Sequence, residues 1–292
     1  MSIQWFPGHM AKARRQIEER LKQVDIVIEL LDARLPLASR NPMIDEIVQN
    51  KPRLVLFTKG DMADDAVTTK WISYFHTQNI PVLSIDAKTG KGVSQIATKC
   101  GQILSPLFAI RQKKGIVSKR MRAIVLGIPN VGKSSLINRL AGRSATVTGD
   151  RPGVTKAQQW IRVGKQLELL DTPGILWPKF EDPLVGMRLA MSGAIKDNIL
   201  PTEEIALYTL KYLVEHYPQS LADRYKLNIT EQTPVELLDE IGKKRGCLLR
   251  GGEVDWEKAA EIILSDLRSG RLGKISLETP ADYEGDLDEA NG

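Results

Sequence analysis

Four short runs of nearly unbroken Ile, Val and Leu punctuate the first half of the chain: VDIVIELL (24–31), RLVLFT (53–58), PVLSI (81–85) and RAIVLG (122–127). Continuous rather than alternating apolarity is the pattern of strands covered on both faces. The intervening segments change to helical spacing. NPMIDEIVQN (41–50) offers Asn41 as N-cap and Pro42 at the first helical position, then sets Met43, Ile44, Ile47 and Val48 on one side. DDAVTTKWISYF (64–75) does the same with Val67, Trp71, Ile72 and Phe75. Strand–helix alternation of this kind predicts an α/β fold, a three-layer, doubly wound, mostly parallel sheet with helices on both faces.

From about residue 178 the strand pattern stops. TEEIALYTLKYLVEHY (202–217), TPVELLDEIG (233–242) and VDWEKAAEIILSDLRSG (254–270) are amphipathic helices by spacing, and the second opens on a capping box of Thr233, Pro234 and Glu236. The expected organisation is an N-terminal segment (1–13), an α/β domain (14–178) and a smaller all-helical C-terminal domain (179–292) ending in an acidic tail.

Composition narrows the class. With 42% hydrophobic residues the 292-residue chain can bury a core, which excludes wholesale disorder. Cys100 and Cys247 are the only cysteines, too few and too far apart for a zinc ribbon or a disulfide framework. No apolar run approaches 18 residues, and MSIQWFPGHMAKARRQ contains no signal-peptide core. The expectation is a cytoplasmic, monomeric protein without a membrane span. The net charge of +5 is unevenly spread, over KARRQIEERLK (12–22), RQKKGIVSKRMR (111–122) and GKKRGCLLR (242–250). Solvated helix faces and linkers account for any one such cluster; three together point modestly to a nucleic-acid surface.

Chemistry enters with GIPNVGKS (127–134), which follows a strand and opens a helix, KSSLINRLAG, whose stop signal is Gly142. Glycines let backbone N–H groups curl round phosphates at a helix start that already favours negative charge. Asn130, Val131, Gly132, Lys133, Ser134 and Ser135 are the candidate phosphate contacts, Lys133 reaching the β/γ-phosphates and Ser134 holding Mg²⁺. LELLDTPG (167–174) adds Asp171 as a second Mg²⁺ holder at a strand end and the Gly174 N–H for the γ-phosphate. DRPGVT (150–155) supplies Thr155, with Thr146 and Thr148 as competitors, to close over metal and phosphate.

Base choice lies upstream. In TKGD (58–61), Thr58, Lys59, Gly60 and Asp61 come after a buried strand; the Asp61 carboxylate suits the N1–H and 2-amino donors of guanine, and the Lys59 stem suits the ring face. Adenine lacks both donors and would leave the carboxylate unpaired, a discrimination of about 10⁴. SIDAKTG (84–90) offers Asp86, Ala87 and Lys88 as a second base contact.

These five motifs, in the order base, base, phosphate, switch I, switch II, resemble the circularly permuted P-loop GTPase family. IQWFPGHMAKA, LLDARLPLASRNP, DTPGILWPKFED and GCLLRGGEVDWEKAA are similar to its ribosome-biogenesis branch, the YlqF type, over nearly the whole chain. Thr58 stands where most of the branch has Asn, a departure that bears on bracing of the phosphate loop rather than on guanine preference. The rotated order leads the chain from DTPG straight into the helical domain, so a switch released on hydrolysis would act on that domain directly.

Ras-type enzymes orient the attacking water with a glutamine after D-x-x-G, where this chain has Ile175, so slow intrinsic hydrolysis is expected. His9 of WFPGHM, a K⁺ ion on Asn130 and a group supplied by a partner all remain candidates to complete the site. The resemblance implies a catalytic role for His9, and it implies an rRNA-binding GTPase acting on the immature large ribosomal subunit. Trp5 and Phe6, in the same segment, read equally as a docking anchor or as apolar plugs against the α/β domain. Lys243, Lys244, Arg245, Arg250, Arg268, Arg271 and Lys274 are the candidate RNA face, against the bland reading of an ordinary basic helix surface. The alternative function is an RNA-binding module that uses GTP as a structural clip without significant turnover. Asp32 and Arg34 of LLDARLP read as ion-pairing or switch support near the nucleotide edge.

Overall fold

The structure, a computed structural model, describes residues 7–48, 51–116, 120–142, 160–172, 174, 176, 180, 182–195, 201–229 and 232–283, with backbone alone for 7–13. The expectations for Trp5, Phe6, Thr146, Thr148, Thr155 and Ile175 lie outside these residues.

Six strands, β1 (Ile26–Asp32), β2 (Arg53–Thr58), β3 (Val82–Ser84), β4 (Met121–Gly127), β5 (Trp160–Val163) and β6 (Leu167–Asp171), form one sheet in the order β3-β2-β1-β4-β6-β5. Every neighbouring pair is parallel except β5 with β6. The first strand of the sequence is thus central in the sheet, with all seven residues buried. Its register sets Asp32 opposite Thr58 on one side and Leu30 opposite Gly127 on the other. Because the pairs are parallel, the carboxyl ends of β2, β1, β4 and β6 meet at one edge. Edge strand β5 has only four residues, too short for its alternation to register as a pattern.

Helices α1 (Pro7–Leu21), α2 (Pro42–Val48) and α3 (Asp65–Thr77) cover the face carrying Val27, Leu31, Val55, Phe57, Ile124 and Leu126. Ile17, Leu21, Ile44, Ile47 and Val48 pack at one end of that face, Trp71 and Phe75 at the other. Helices α4 (Gln95–Lys113) and α5 (Lys133–Ala141) bury Ile96, Cys100, Leu104, Leu136 and Ile137. Side chains alternate across a strand, so the even-numbered positions Ile26, Ile28, Leu30, Leu54 and Leu56 supply the second apolar face.

Two compact units result, Met1–Glu181 with Ser276–Gly292, and Asp182–Ile275. The second is helical: α6 (Pro183–Ser192), α7 (Thr202–His216), α8 (Pro218–Tyr225), α9 (Pro234–Arg245) and α10 (Trp256–Ser269). Ile205, Leu210 and Leu213 of α7, Leu237, Leu238 and Ile241 of α9, and Ile263, Leu264 and Leu267 of α10 are buried. The capping box forms, with the Thr233 hydroxyl accepting from the Glu236 amide and the Glu236 carboxylate accepting from the Thr233 amide.

Two boundaries differ from expectation. Helix α1 begins at Pro7 and runs unbroken to Leu21, so residues 7–13 are continuous with the α/β unit rather than a separate segment. The helical unit ends at Ile275, and the chain then returns to the α/β unit. That return is held by single polar and aromatic residues, such as Glu278 and Tyr283, which produce no periodicity.

Candidate nucleotide site

The two distant motif groups meet at the carboxyl edge of the sheet. The Thr58 hydroxyl, at the end of β2, lies 2.6 Å from the carbonyl of Val131 in the phosphate loop and 3.1 Å from the carbonyl of Leu31. It has one proton to give, and the nearer Val131 oxygen is the better acceptor. The bracing that the Thr-for-Asn departure put at issue is therefore made, by a hydroxyl.

The phosphate loop has the shape the glycine pattern requires. Gly127 and Gly132 have φ of 155° and 100°, and Asn130 adopts a left-handed φ of 57°. A Cβ on Gly127 would come within 2.8 Å of the Leu30 carbonyl. Gly132 caps α5, so the loop ends at a helix N-terminus; Ser134 and Ser135 occupy its first turn. Lys133 is buried, and its ammonium donates to the carbonyls of Ile128 (3.1 Å) and Gly127 (3.3 Å). Burial pushes its pKa down to about 8, with the Asp171 charge opposing.

Asp171, at the end of β6, is fully buried, and neither of its carboxylate oxygens has a hydrogen-bond partner among the described residues. Burial raises its pKa, against the charge of Lys133. A bare buried carboxylate beside a helix start that carries Ser134 suits a hard divalent cation such as Mg²⁺. Thr172 is anchored by its hydroxyl to the Val125 carbonyl at 2.6 Å. Gly174 sits so tightly on the phosphate loop that a Cβ would lie 2.8 Å from Pro129 N and Cα and 3.0 Å from the Lys133 ammonium.

At the base end, Lys59 has a left-handed φ of 56° and its ammonium pairs with Asp32 at 2.9 Å. Arg34 grips the same carboxylate through two nitrogens, at 2.9 and 2.8 Å. Burial acts to raise the Asp32 pKa, but the charges of Arg34 and Lys59 overcome it and hold the carboxyl far below the usual range. Asp61 is exposed, with the Lys88 ammonium 3.9 Å away, so its carboxylate is accessible to guanine donors. Gly60 passes beside the second base stretch, its amide donating to the Ile85 carbonyl at 3.4 Å.

Asp86 corrects the sequence reading. Its carboxylate is buried and accepts from the Lys88 amide (2.7 Å), the Thr89 amide (3.2 Å) and the Thr89 hydroxyl. Asp86 shapes the loop that presents Ala87 and Lys88; it is not itself turned to a base. Arg139 of α5 ties that loop to the phosphate side through the Thr89 carbonyl at 2.8 Å. No periodicity or motif distinguishes an inward Asp from an outward one.

The candidate RNA face also changes membership. Lys243, Lys244, Arg245, Arg250, Arg271 and Lys274 are exposed. Arg268 is not among them: its guanidinium donates to the carbonyls of Ala190 (2.7 Å) and Met191 (3.2 Å) at the end of α6. Lys243 pairs with Asp239 and Lys244 with Glu240, while Arg245 lies over the Tyr225 ring at 5.0 Å. The arginines of the 111–122 cluster are ion-paired as well. Arg111 pairs with Asp25, and Arg120 and Arg122 pair with Glu168. Of His9 only the backbone is described, in the first turn of α1.

Comparison with known proteins finds similar GTPases. The family described as 50S ribosome-binding GTPase matches residues 122–238, a segment that begins in β4 and leaves out the two base stretches preceding it. Ribosome biogenesis GTPase A of Bacillus cereus is 57% identical over 283 residues, covering 97% of this chain and 96% of its own. The protein of that name from Thermotoga maritima is 32% identical, covering 96% and 95%. Mitochondrial ribosome-associated GTPase 1 of Mus musculus is 32% identical, covering 94% and 89%. Among solved structures, GDP-bound TM YlqF superposes with a TM-score of 0.66 at 26% identity, over 92% of this chain and all of that one. GNP-bound YlqF from T. maritima gives 0.64 at 26% identity, over 92% and 98%. With its base-reading and phosphate-cradling loops joined at one sheet edge, the chain belongs to the ribosome biogenesis GTPase A family of GTP-binding P-loop GTPases.

Proposed function

We propose that this chain is a switch in late large-subunit assembly, binding the immature large ribosomal subunit and hydrolysing GTP slowly alone and faster on the particle. The observation that carries the nucleotide half is the Thr58–Val131 hydrogen bond, which ties the guanine-reading strand end to the phosphate loop despite their rotated order. Asp61 would accept from guanine, with the Lys59 stem and the Ala87–Lys88 loop around the ring. Asn130 to Ser135 would cradle the phosphates, and Lys133 would exchange its loop carbonyls for phosphate oxygens. Ser134, Asp171 and Thr155 would hold Mg²⁺, which supplies neutralisation of charge on the β- and γ-phosphates. The Gly174 amide would meet the γ-phosphate, linking nucleotide state to the segment that leads into Asp182 and the helical unit.

The particle half is supported by the names of the relatives and by the exposed cations of the helical unit, which suit rRNA phosphates. The setting is cytoplasmic and ribosome-associated, and the chain acts as a monomer. With Ile175 after the D-x-x-G, completion of the site falls to His9, to K⁺ on Asn130 or to a group from the particle. GTP turnover is to be measured with no ribosomal particle, with purified large subunits and with small subunits. Stimulation by large subunits alone is the expected result. GTP bound tightly but never turned over in any arm would sink the switch and leave the structural clip. Loss of large-subunit stimulation in His9→Ala, with particle binding intact, would assign the histidine.

A further inference from the structure

Directly after Ile275 the chain re-enters the α/β unit, and residues 276–283 contact the turn that follows β1 on one side and the start of α3, just beyond the TKGD stretch, on the other. On one side the Leu277 amide donates to the Arg34 carbonyl at 2.6 Å. The Glu278 carboxylate, wholly buried, accepts from the amides of Leu37 (2.5 Å) and Ala38 (3.2 Å) and from the Tyr283 hydroxyl (2.7 Å). On the other side the Ser276 hydroxyl accepts from the amide of Asp64, the residue that caps α3 and lies three positions after Asp61. The Trp71 indole, from the same helix, donates to the Glu278 carbonyl at 3.2 Å.

The turn gripped by Glu278 is the one that comes after Asp32. Within it, Arg34 holds the Asp32 carboxylate through two nitrogens, and that carboxylate holds the Lys59 ammonium. Lys59 itself stands at a left-handed φ, an uncommon conformation for a residue with a side chain. An apolar side chain would fill the Glu278 position with less desolvation. A carboxylate is suited to it because it fixes two adjacent amides and so sets the shape of the turn.

We propose that residues 276–283 form a positioning strap for the guanine site, with Glu278 as anchor, fixing the 34–38 turn and, through Asp32, the Lys59 side chain. This rests on reading the pocket as a guanine-nucleotide site. Glu278 acts through the turn, so it is a positioning residue and not a contact to nucleotide.

A double-mutant cycle on the full chain tests it, with binding of a fluorescent GDP as the readout. Glu278→Ala is expected to weaken GDP about tenfold in the natural background. In a Lys59→Ala background the same change is expected to weaken it by less than about twofold, because the group it positions is already gone. Tyr283→Phe, which removes one hydroxyl from Glu278, carries the same comparison with a smaller loss should Glu278→Ala not fold. Equal losses in both backgrounds, or no loss in either, would overturn the strap. Absence of GDP binding by the unaltered protein would overturn the nucleotide reading along with it.

Discussion

Lys133 illustrates how far a single residue's chemistry depends on what surrounds it. Buried against the carbonyls of Gly127 and Ile128, its ammonium is held near a pKa of about 8 rather than the ordinary lysine value. Phosphate oxygens would replace those neutral acceptors and hold the proton to higher pH. The ammonium is therefore present in both free and bound protein below about pH 8. As the pH rises through 8 the free form loses it first, binding must take up a proton, and affinity falls. Calorimetry of GDP binding at about pH 8.5, in buffers of different ionisation heat, should show proton uptake that is lost at neutral pH. Lys133→Arg should abolish that uptake, since a guanidinium does not titrate there. At this scale the motif letters were legible and their roles only partly so. Asp86 and Asp61 stand beyond similar strand ends, but one folds onto its own loop amides and the other faces solvent.

At the scale of elements, α9 and α10 were readable because capping residues and a 3.6-residue apolar repeat are local properties. What joins the helices was not. Asp266 of α10 is buried, and its carboxylate accepts from Arg224 at 2.7 Å and the Tyr225 hydroxyl at 3.0 Å, with Arg271 also 3.0 Å away. It ties α8 and the end of α10 together. Breaking a fully buried ion pair costs about 3–5 kcal/mol, but both arginines retain access to water. Asp266→Ala should therefore destabilise the helical unit by about 2–3 kcal/mol. Thr233→Ala, which removes one cap, should cost about 1 kcal/mol. Chemical denaturation followed by circular dichroism checks both values and their order.

Across the whole molecule, rotation of the motif order leaves the sheet edge intact because hydrogen-bonded neighbours are indifferent to where the chain is cut. It changes instead what lies between the strands. Strand β6 leads to the helical unit, and the chain returns from that unit to the turn after β1. The charge of the helical unit yields a prediction that separates surface from scaffold. Binding to rRNA should weaken linearly in log–log plots against salt, and Arg250→Ala or Lys274→Ala should each reduce the slope by about 1. Arg268→Ala should leave the slope unchanged and lower the melting temperature, since its guanidinium closes the end of α6. An unchanged slope for both exposed positions would remove them from the RNA face.

The sequence by itself determined the parallel α/β sheet, the helical unit, the identity of the phosphate and guanine motifs and their rotated order, because each is written in spacing a few residues long. Only the tertiary structure decided that β1 lies between the two motif strands, that a threonine hydroxyl bridges them, that the Asp171 carboxylate is buried without a hydrogen-bond partner among the described residues and that Glu278 returns to the turn after β1. Those are contacts between residues as far as 241 positions apart. No local pattern encodes which distant carbonyl, amide or charge a buried side chain will meet.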